Sequence, residues 1–95
     1  MTADRYRRSE DVAFRQVGDE CLLVPIRKSP KSEMAVFSLN GVGAFVWEAL
    51  GEPRSLEELG AKVSAAFEVA PADAQRDVEA FVSRLVAKGL ARVEA

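Results

Sequence analysis

The chain has 95 residues, of which 48% are hydrophobic and 29% are charged, and its formal net charge is −2. This length accommodates one small domain, and the composition is that of a soluble globular protein, which excludes a disordered or collagen-like chain. The slight excess of acidic residues provides no strong positive field that would attract the chain to nucleic acid.

The residue types also restrict the chemistry. The sequence contains no histidine and one cysteine, so it lacks the commonest general base and the usual ligands of a zinc site. It contains no G-x-x-x-x-G-K-[ST] motif, and Gly41 and Gly43 do not complete a G-x-G-x-x-G motif because Val46 stands in the third position. We therefore expect no catalytic residue, no metal and no cofactor.

The cellular location follows from similar observations. Cys21 has no second cysteine for an internal disulfide, which is typical of a reducing compartment. The apolar run at residues 42–47 is far shorter than the roughly 20 residues of a membrane span, and the amino terminus lacks the apolar stretch of a secretory signal. We expect a cytoplasmic protein that does not insert into membranes.

The amino-terminal half of the sequence predicts strands. Residues 1–11 are polar and mixed in charge, and we expect a flexible arm that precedes a single domain at residues 12–93. Residues 12–17 alternate between apolar and polar side chains, which predicts a half-buried strand, and Gly18-Asp19 predicts a hairpin turn. The apolar run at residues 21–26 then predicts a second strand.

A polar loop separates the second strand from the third. Residues 27–33 form this loop around a proline, and residues 35–39 alternate again, which predicts a third strand with Phe37 and Leu39 facing the core. Asn40 ends this strand because asparagine is a favoured N-cap of a helix.

Three helices follow. The first is predicted at residues 41–50, where almost every residue is apolar, so this helix should be buried with Trp47 as a core side chain. Ser55 and Glu58 have the spacing of a capping box at the start of a second helix. The third helix is predicted at residues 72–88, which carry one apolar stripe opposite charged residues. The order of elements indicates an α+β, winged-helix-like domain: an N-terminal three-stranded antiparallel sheet followed by three helices.

Several of these segments together resemble the PqqD-like family, which is named for pyrroloquinoline-quinone biosynthesis. The similar segments are Leu39-Asn40, residues 45–50, residues 55–59, and the end of the third helix around Lys88-Gly89-Leu90. The resemblance covers residues 12–92, and the order and spacing of the segments carry it. The polar loop at residues 27–33 departs from the family pattern, which favours a relative over the quinone-cofactor protein itself.

The resemblance implies a function. Members of the family bind the leader segment of a ribosomally made precursor peptide and present it to a modifying enzyme, often a radical SAM protein. The leader adds to the third strand as a further strand, beside the third helix, so the implied protein is a non-catalytic peptide-binding chaperone. The peptide-binding residues expected on this basis are Met34, Ala35, Val36, Phe37, Ser38, Asp77, Phe81, Arg84 and Lys88.

The choice of helix residues rests on charge. One flank of the third helix combines Phe81 with Arg84 and Lys88, and leaders of this kind commonly combine apolar and acidic residues, as the resemblance implies. The other flank carries Glu79. The sequence leaves open which flank faces the third strand.

Two other functions remain open at this stage. A winged-helix regulator would place a basic helix on DNA, but residues 73–88 hold equal numbers of acidic and basic side chains, so we expect no binding to nucleic acid. An open strand edge could also pair with a second copy of the chain, which would make the protein a small homodimerising module.

Overall fold

The computed structural model describes residues 4–25 and 37–94. Strand β1 is Arg5–Arg8, β2 is Val12–Val17, β3 is Glu20–Pro25, and β4 is Phe37–Leu39; β5 is Arg54–Ser55 and β6 is Ala91–Glu94. Helix α1 is Gly41–Ala49, α2 is Leu56–Phe67, and α3 is Pro71–Ala87. Within the described part, no helix is long and apolar enough to cross a membrane.

The described strands form two sheets, which we call sheet A (β5-β1-β6) and sheet B (β2-β3-β4). Sheet B is antiparallel. A two-residue turn joins β2 to β3, and Gly18 has a φ of 61° there, a left-handed conformation that glycine adopts without steric cost. The register places Phe14 opposite Leu23 and Leu23 opposite Phe37. Opposed residues in antiparallel strands share a face, and the complete burial of Leu23 identifies this face as the one that covers the core.

The helices begin where the sequence predicts. The Asn40 side chain accepts a hydrogen bond from the Gly43 N–H at 2.7 Å, so Asn40 is the N-cap of α1. Ser55 and Glu58 form the complete capping box of α2. Pro71 occupies the first turn of α3, where its missing N–H costs no helical hydrogen bond.

The core lies between sheet B and the three helices. Trp47 is 2% exposed, which confirms the prediction that it is a core side chain. The other fully buried large side chains are Leu23, Val46, Leu50, Leu59, Val63, Val78, Val82 and Leu85. All three helices and β3 therefore contribute to a single hydrophobic core.

The predicted flexible arm is wrong for residues 5–8, because these residues form β1. This strand pairs antiparallel with β5 on one side and with β6 on the other, which gives sheet A with the order β5-β1-β6. Tyr6 packs against the core, and the Arg8 guanidinium lies 5.7 Å from the centre of the Trp47 ring. Long-range backbone pairing orders a segment whose own sequence has no hydrophobic periodicity.

The α+β class is confirmed: an N-terminal three-stranded antiparallel sheet precedes three helices among the described residues. Sheet A is an addition that the sequence did not predict. Ile26, the loop at residues 27–33, and the first two residues of the predicted third strand lie outside the described residues.

Removal of the capping hydroxyl should destabilise α2. Ser55 Oγ accepts from the Glu58 N–H, and the Glu58 carboxylate accepts from the Ser55 N–H, each at 3.1 Å. We expect Ser55→Ala to lower the free energy of unfolding by about 0.5–2 kcal/mol in urea denaturation. Wild-type stability in the S55A variant would contradict the role of the box.

The same box should make stability depend on pH. The hydrogen bond from the Ser55 backbone lowers the pKa of Glu58 below its usual value. A lowered pKa in the folded state stabilises the protein above the unfolded pKa, and this contribution is lost as the pH falls through the folded value. The stability difference between wild type and Glu58→Gln should therefore shrink in acid.

Candidate functional site

Strand β4 forms one edge of sheet B. Its register pairs Phe37, Ser38 and Leu39 with β3, and no other described strand pairs with it. An edge strand presents unpaired N–H and C=O groups that can bond to another extended chain. Leu39 is buried on the core face while Ser38 is exposed on the other, as the sequence alternation predicts.

One flank of α3 packs beside this edge. The Phe81 ring meets the Phe37 ring edge-on, with their centroids 6.1 Å apart. The Arg84 guanidinium carbon lies 6.0 Å from the centre of the Phe37 ring, which is within the range of a cation–π contact. These two contacts answer the question that the sequence left open, because the flank that carries Phe81 and Arg84 faces β4.

The amino-terminal turn of α1 closes the space between β4 and α3. A Cβ atom on Gly43 would lie 3.3 Å from Cε1 of Phe81 and 3.2 Å from Oδ1 of Asn40. Both separations are too tight for an ordinary contact, so glycine at this position allows Phe81 to approach the helix. Phe81 is thereby held between α1 and β4.

Together these elements form a groove of about 630 Å³, which we call the β4–α3 groove. Its lining residues are Phe37, Ser38, Leu39, Asn40, Val42, Gly43, Val46, Asp77, Val78, Ala80, Phe81 and Arg84. Apolar side chains such as Phe37, Val42 and Phe81 form its floor, polar groups make up the larger part of its exposed lining, and the charged side chains come from α3. A surface of this kind can hold an extended peptide by main-chain hydrogen bonds at β4 and by apolar side chains against the floor.

The structure brings five of the nine predicted peptide-binding residues together: Phe37, Ser38, Asp77, Phe81 and Arg84 line the groove. Lys88 is the C-cap residue of α3 and is not among the lining residues. Met34, Ala35 and Val36 lie outside the described residues.

The contribution of α1 was not predicted from the sequence. Val42, Gly43 and Val46 line the groove, whereas the apolar sequence of this helix predicts core positions alone. Val42 is partly buried, and Gly43 follows it in the sequence. A glycine in the first turn of an apolar helix could have indicated this close approach.

The opposite flank of α3 faces a different surface. Gln75 and Glu79 line a separate depression together with Asp4, Tyr6, Leu56 and Glu57. Glu79 therefore offers a position on the same helix, away from the β4–α3 groove, for control substitutions. The described residues contain no group of three or more histidine, cysteine, aspartate or glutamate side chains arranged to hold a metal ion.

The chain belongs to the PqqD family, since the family model described as coenzyme PQQ synthesis protein D (PqqD) matches residues 20–91. The resemblance found in the sequence is thereby confirmed. No curated protein matches the chain significantly.

Two solved structures share the fold. TbiB1, in complex with the TbiA(beta) leader peptide, is 26% identical and superposes with a TM-score of 0.73 over 94% of this chain and 98% of its own. A lasso peptide synthetase B1, complexed with the leader peptide, is 23% identical with a TM-score of 0.73, and the match covers 92% of this chain and 96% of its own. Both of these similar structures are complexes with leader peptides.

Proposed function

We propose that this protein binds the leader segment of a ribosomally made precursor peptide in the β4–α3 groove and presents it to a modifying enzyme. The observation that carries the proposal is the open edge of β4 beside the groove that it forms with α1 and α3. The leader extends sheet B as a strand beyond β4, and its alternate side chains enter the groove.

The comparisons support this proposal in two ways. The family match covers β4, α1 and α3, which are the elements that line the groove. TbiB1, which covers nearly the whole chain, binds a leader peptide in its own structure. The protein acts as a non-catalytic partner, and the family resemblance favours a radical SAM protein as the enzyme that it serves.

A titration tests leader binding directly. The isotope-labelled protein is titrated with the leader segment of any short precursor peptide found to be encoded beside its gene, and amide chemical shifts are recorded. We expect the largest shifts in β4 and at residues 77–84, because these residues border the groove. Shifts confined to β1, or none at millimolar leader, would contradict the proposal.

Two substitutions on α3 provide a matched comparison. Arg84→Glu should weaken binding of an acidic leader by about two- to fivefold, because an exposed charge contact contributes little and is screened by salt. Glu79→Arg lies on the opposite flank and should leave the affinity unchanged. A larger loss of affinity from E79R than from R84E would place the peptide on the opposite flank of α3 and contradict binding in the groove.

A further inference from the structure

Two side chains of opposite charge, Asp77 and Arg84, lie at the two ends of the groove floor. Asp77 and Arg84 both line the groove, and neither forms an ion pair with another described residue. The neighbouring charges Asp73 and Arg76 pair with each other at 3.8 Å. The side chains of Asp77 and Arg84 are therefore free to meet charges on a bound peptide.

The contacts fix which charge stands at which end. Arg84 lies over Phe37, the first residue of β4, while Phe81 reaches from Phe37 to Gly43 in α1. Asp77 is one turn before Phe81, on the side away from Arg84. Helix α3 therefore runs in the opposite sense to β4, with Arg84 at the start of β4 and Asp77 beyond its end.

A peptide that pairs with β4 meets these charges in a defined order. Antiparallel pairing is slightly more stable per residue than parallel pairing, and β4 already pairs antiparallel with β3. An antiparallel peptide runs in the same sense as α3, so it passes Asp77 first, the apolar floor next, and Arg84 last.

The spacing follows from the geometry of helix and strand. Asp77 and Arg84 are two helical turns apart, about 10 Å along the axis. Side chains on one face of a strand recur at every second residue, so three groove-facing positions span about 13–14 Å. The basic and acidic side chains of the peptide are long and flexible, so they can bridge the difference between these two lengths.

We propose, resting on the leader-binding function above, that the groove selects leaders by charge order. The matching leader carries a basic residue, an apolar residue two positions later, and an acidic residue two positions after that. The basic side chain meets Asp77, the apolar side chain packs on Phe81 and Val42, and the acidic side chain meets Arg84.

Two synthetic peptides of identical composition test the order. One contains Lys-x-Leu-x-Glu and the other Glu-x-Leu-x-Lys, with the same flanking residues, and their affinities are measured by amide shift titration at low salt. Wild type should bind the lysine-first peptide about fivefold more tightly or better, because two attractions replace two repulsions. This preference should shrink as salt is added.

A charge-exchange variant provides the reciprocal measurement. Asp77→Arg combined with Arg84→Asp keeps the net charge and alters only exposed positions, so thermal melting should confirm an unchanged fold. This variant should prefer the glutamate-first peptide. Glu79→Arg should keep the wild-type preference, since Glu79 faces the separate depression.

The outcomes separate this inference from the proposed function. Equal affinity for the two peptides, a glutamate-first preference in wild type, or no binding of the lysine-first peptide would overturn the charge order, while binding of the natural leader stands. Failure of the natural leader to shift residues of β4 and α3 would overturn the proposed function and, with it, the charge order.

Discussion

Replacing Trp47 by alanine is expected to lower the free energy of unfolding by about 3–5 kcal/mol, a large share of the roughly 5–15 kcal/mol of a typical domain. The side chain is 2% exposed and lies within the core. The Arg8 guanidinium also loses its cation–π contact with the Trp47 ring, which weakens the packing of β1 against α1. Urea denaturation followed by circular dichroism measures the effect, because Trp47 is the sole tryptophan and its fluorescence is lost in the variant.

A control substitution at an exposed position distinguishes the effect of burial from the effect of shortening an apolar side chain. Val93 is 47% exposed on β6, and Val93→Ala should change the stability by less than about 0.5 kcal/mol. If W47A unfolds at the same urea concentration as wild type, Trp47 does not belong to the core.

Placing a carboxylate on the groove floor should abolish most leader binding. Val42 lines the groove from the first turn of α1, and Val42→Glu would place a charged side chain against a bound apolar side chain. Desolvation of a charge against an apolar side chain is costly, so we expect at least about a tenfold loss of affinity in the leader titration. The fold should tolerate the change, because an acidic residue in the first turn interacts favourably with the helix dipole.

The control for this variant is Val93→Glu, which adds the same charge on β6, outside the groove. It should bind the leader as wild type does. Equal loss in both variants would show an effect of net charge, and wild-type affinity in V42E would contradict the assignment of the groove.

Local signals in the sequence were sufficient for the helices. Asn40, Ser55 and Pro71 each act on backbone groups within the first turn of a helix, so their effect can be inferred from neighbouring residues. The apolar stripe of α3 has the same local origin. The ends of α1 and α3 were predicted to within one or two residues.

Sheet A could not be predicted in this way. The segment Arg5–Arg8 is basic and has no alternation of apolar residues, and its partners lie at residues 54–55 and 91–94. Hydrogen bonds between distant backbone segments decide its structure. Every residue other than proline carries the same backbone groups, so the residue types do not reveal which segments pair. Tyr6 is the one aromatic residue of this segment, and one aromatic residue does not establish a strand.

The candidate site was predictable in part for a related reason. The helical period places Asp77, Phe81 and Arg84 on one flank, but the direction in which that flank faces depends on how α3 packs on the sheet. The contacts of Phe37 with Phe81 and Arg84 supply this information. The role of Gly43 depends on a distance to a residue on another element, which periodicity does not contain.

The pairing of β1 with β6 has a consequence for folding during synthesis. Arg5 lies opposite Glu94, so sheet A joins the first described strand to the last. The residues of β2, β3 and β4 are all made by residue 39, whereas sheet A cannot be completed before residues 91–94 are made. Strand β1 can pair with β5 once residues 54–55 are made, but its second edge stays open until residues 91–94 follow, so docking of β6 is the step that completes sheet A.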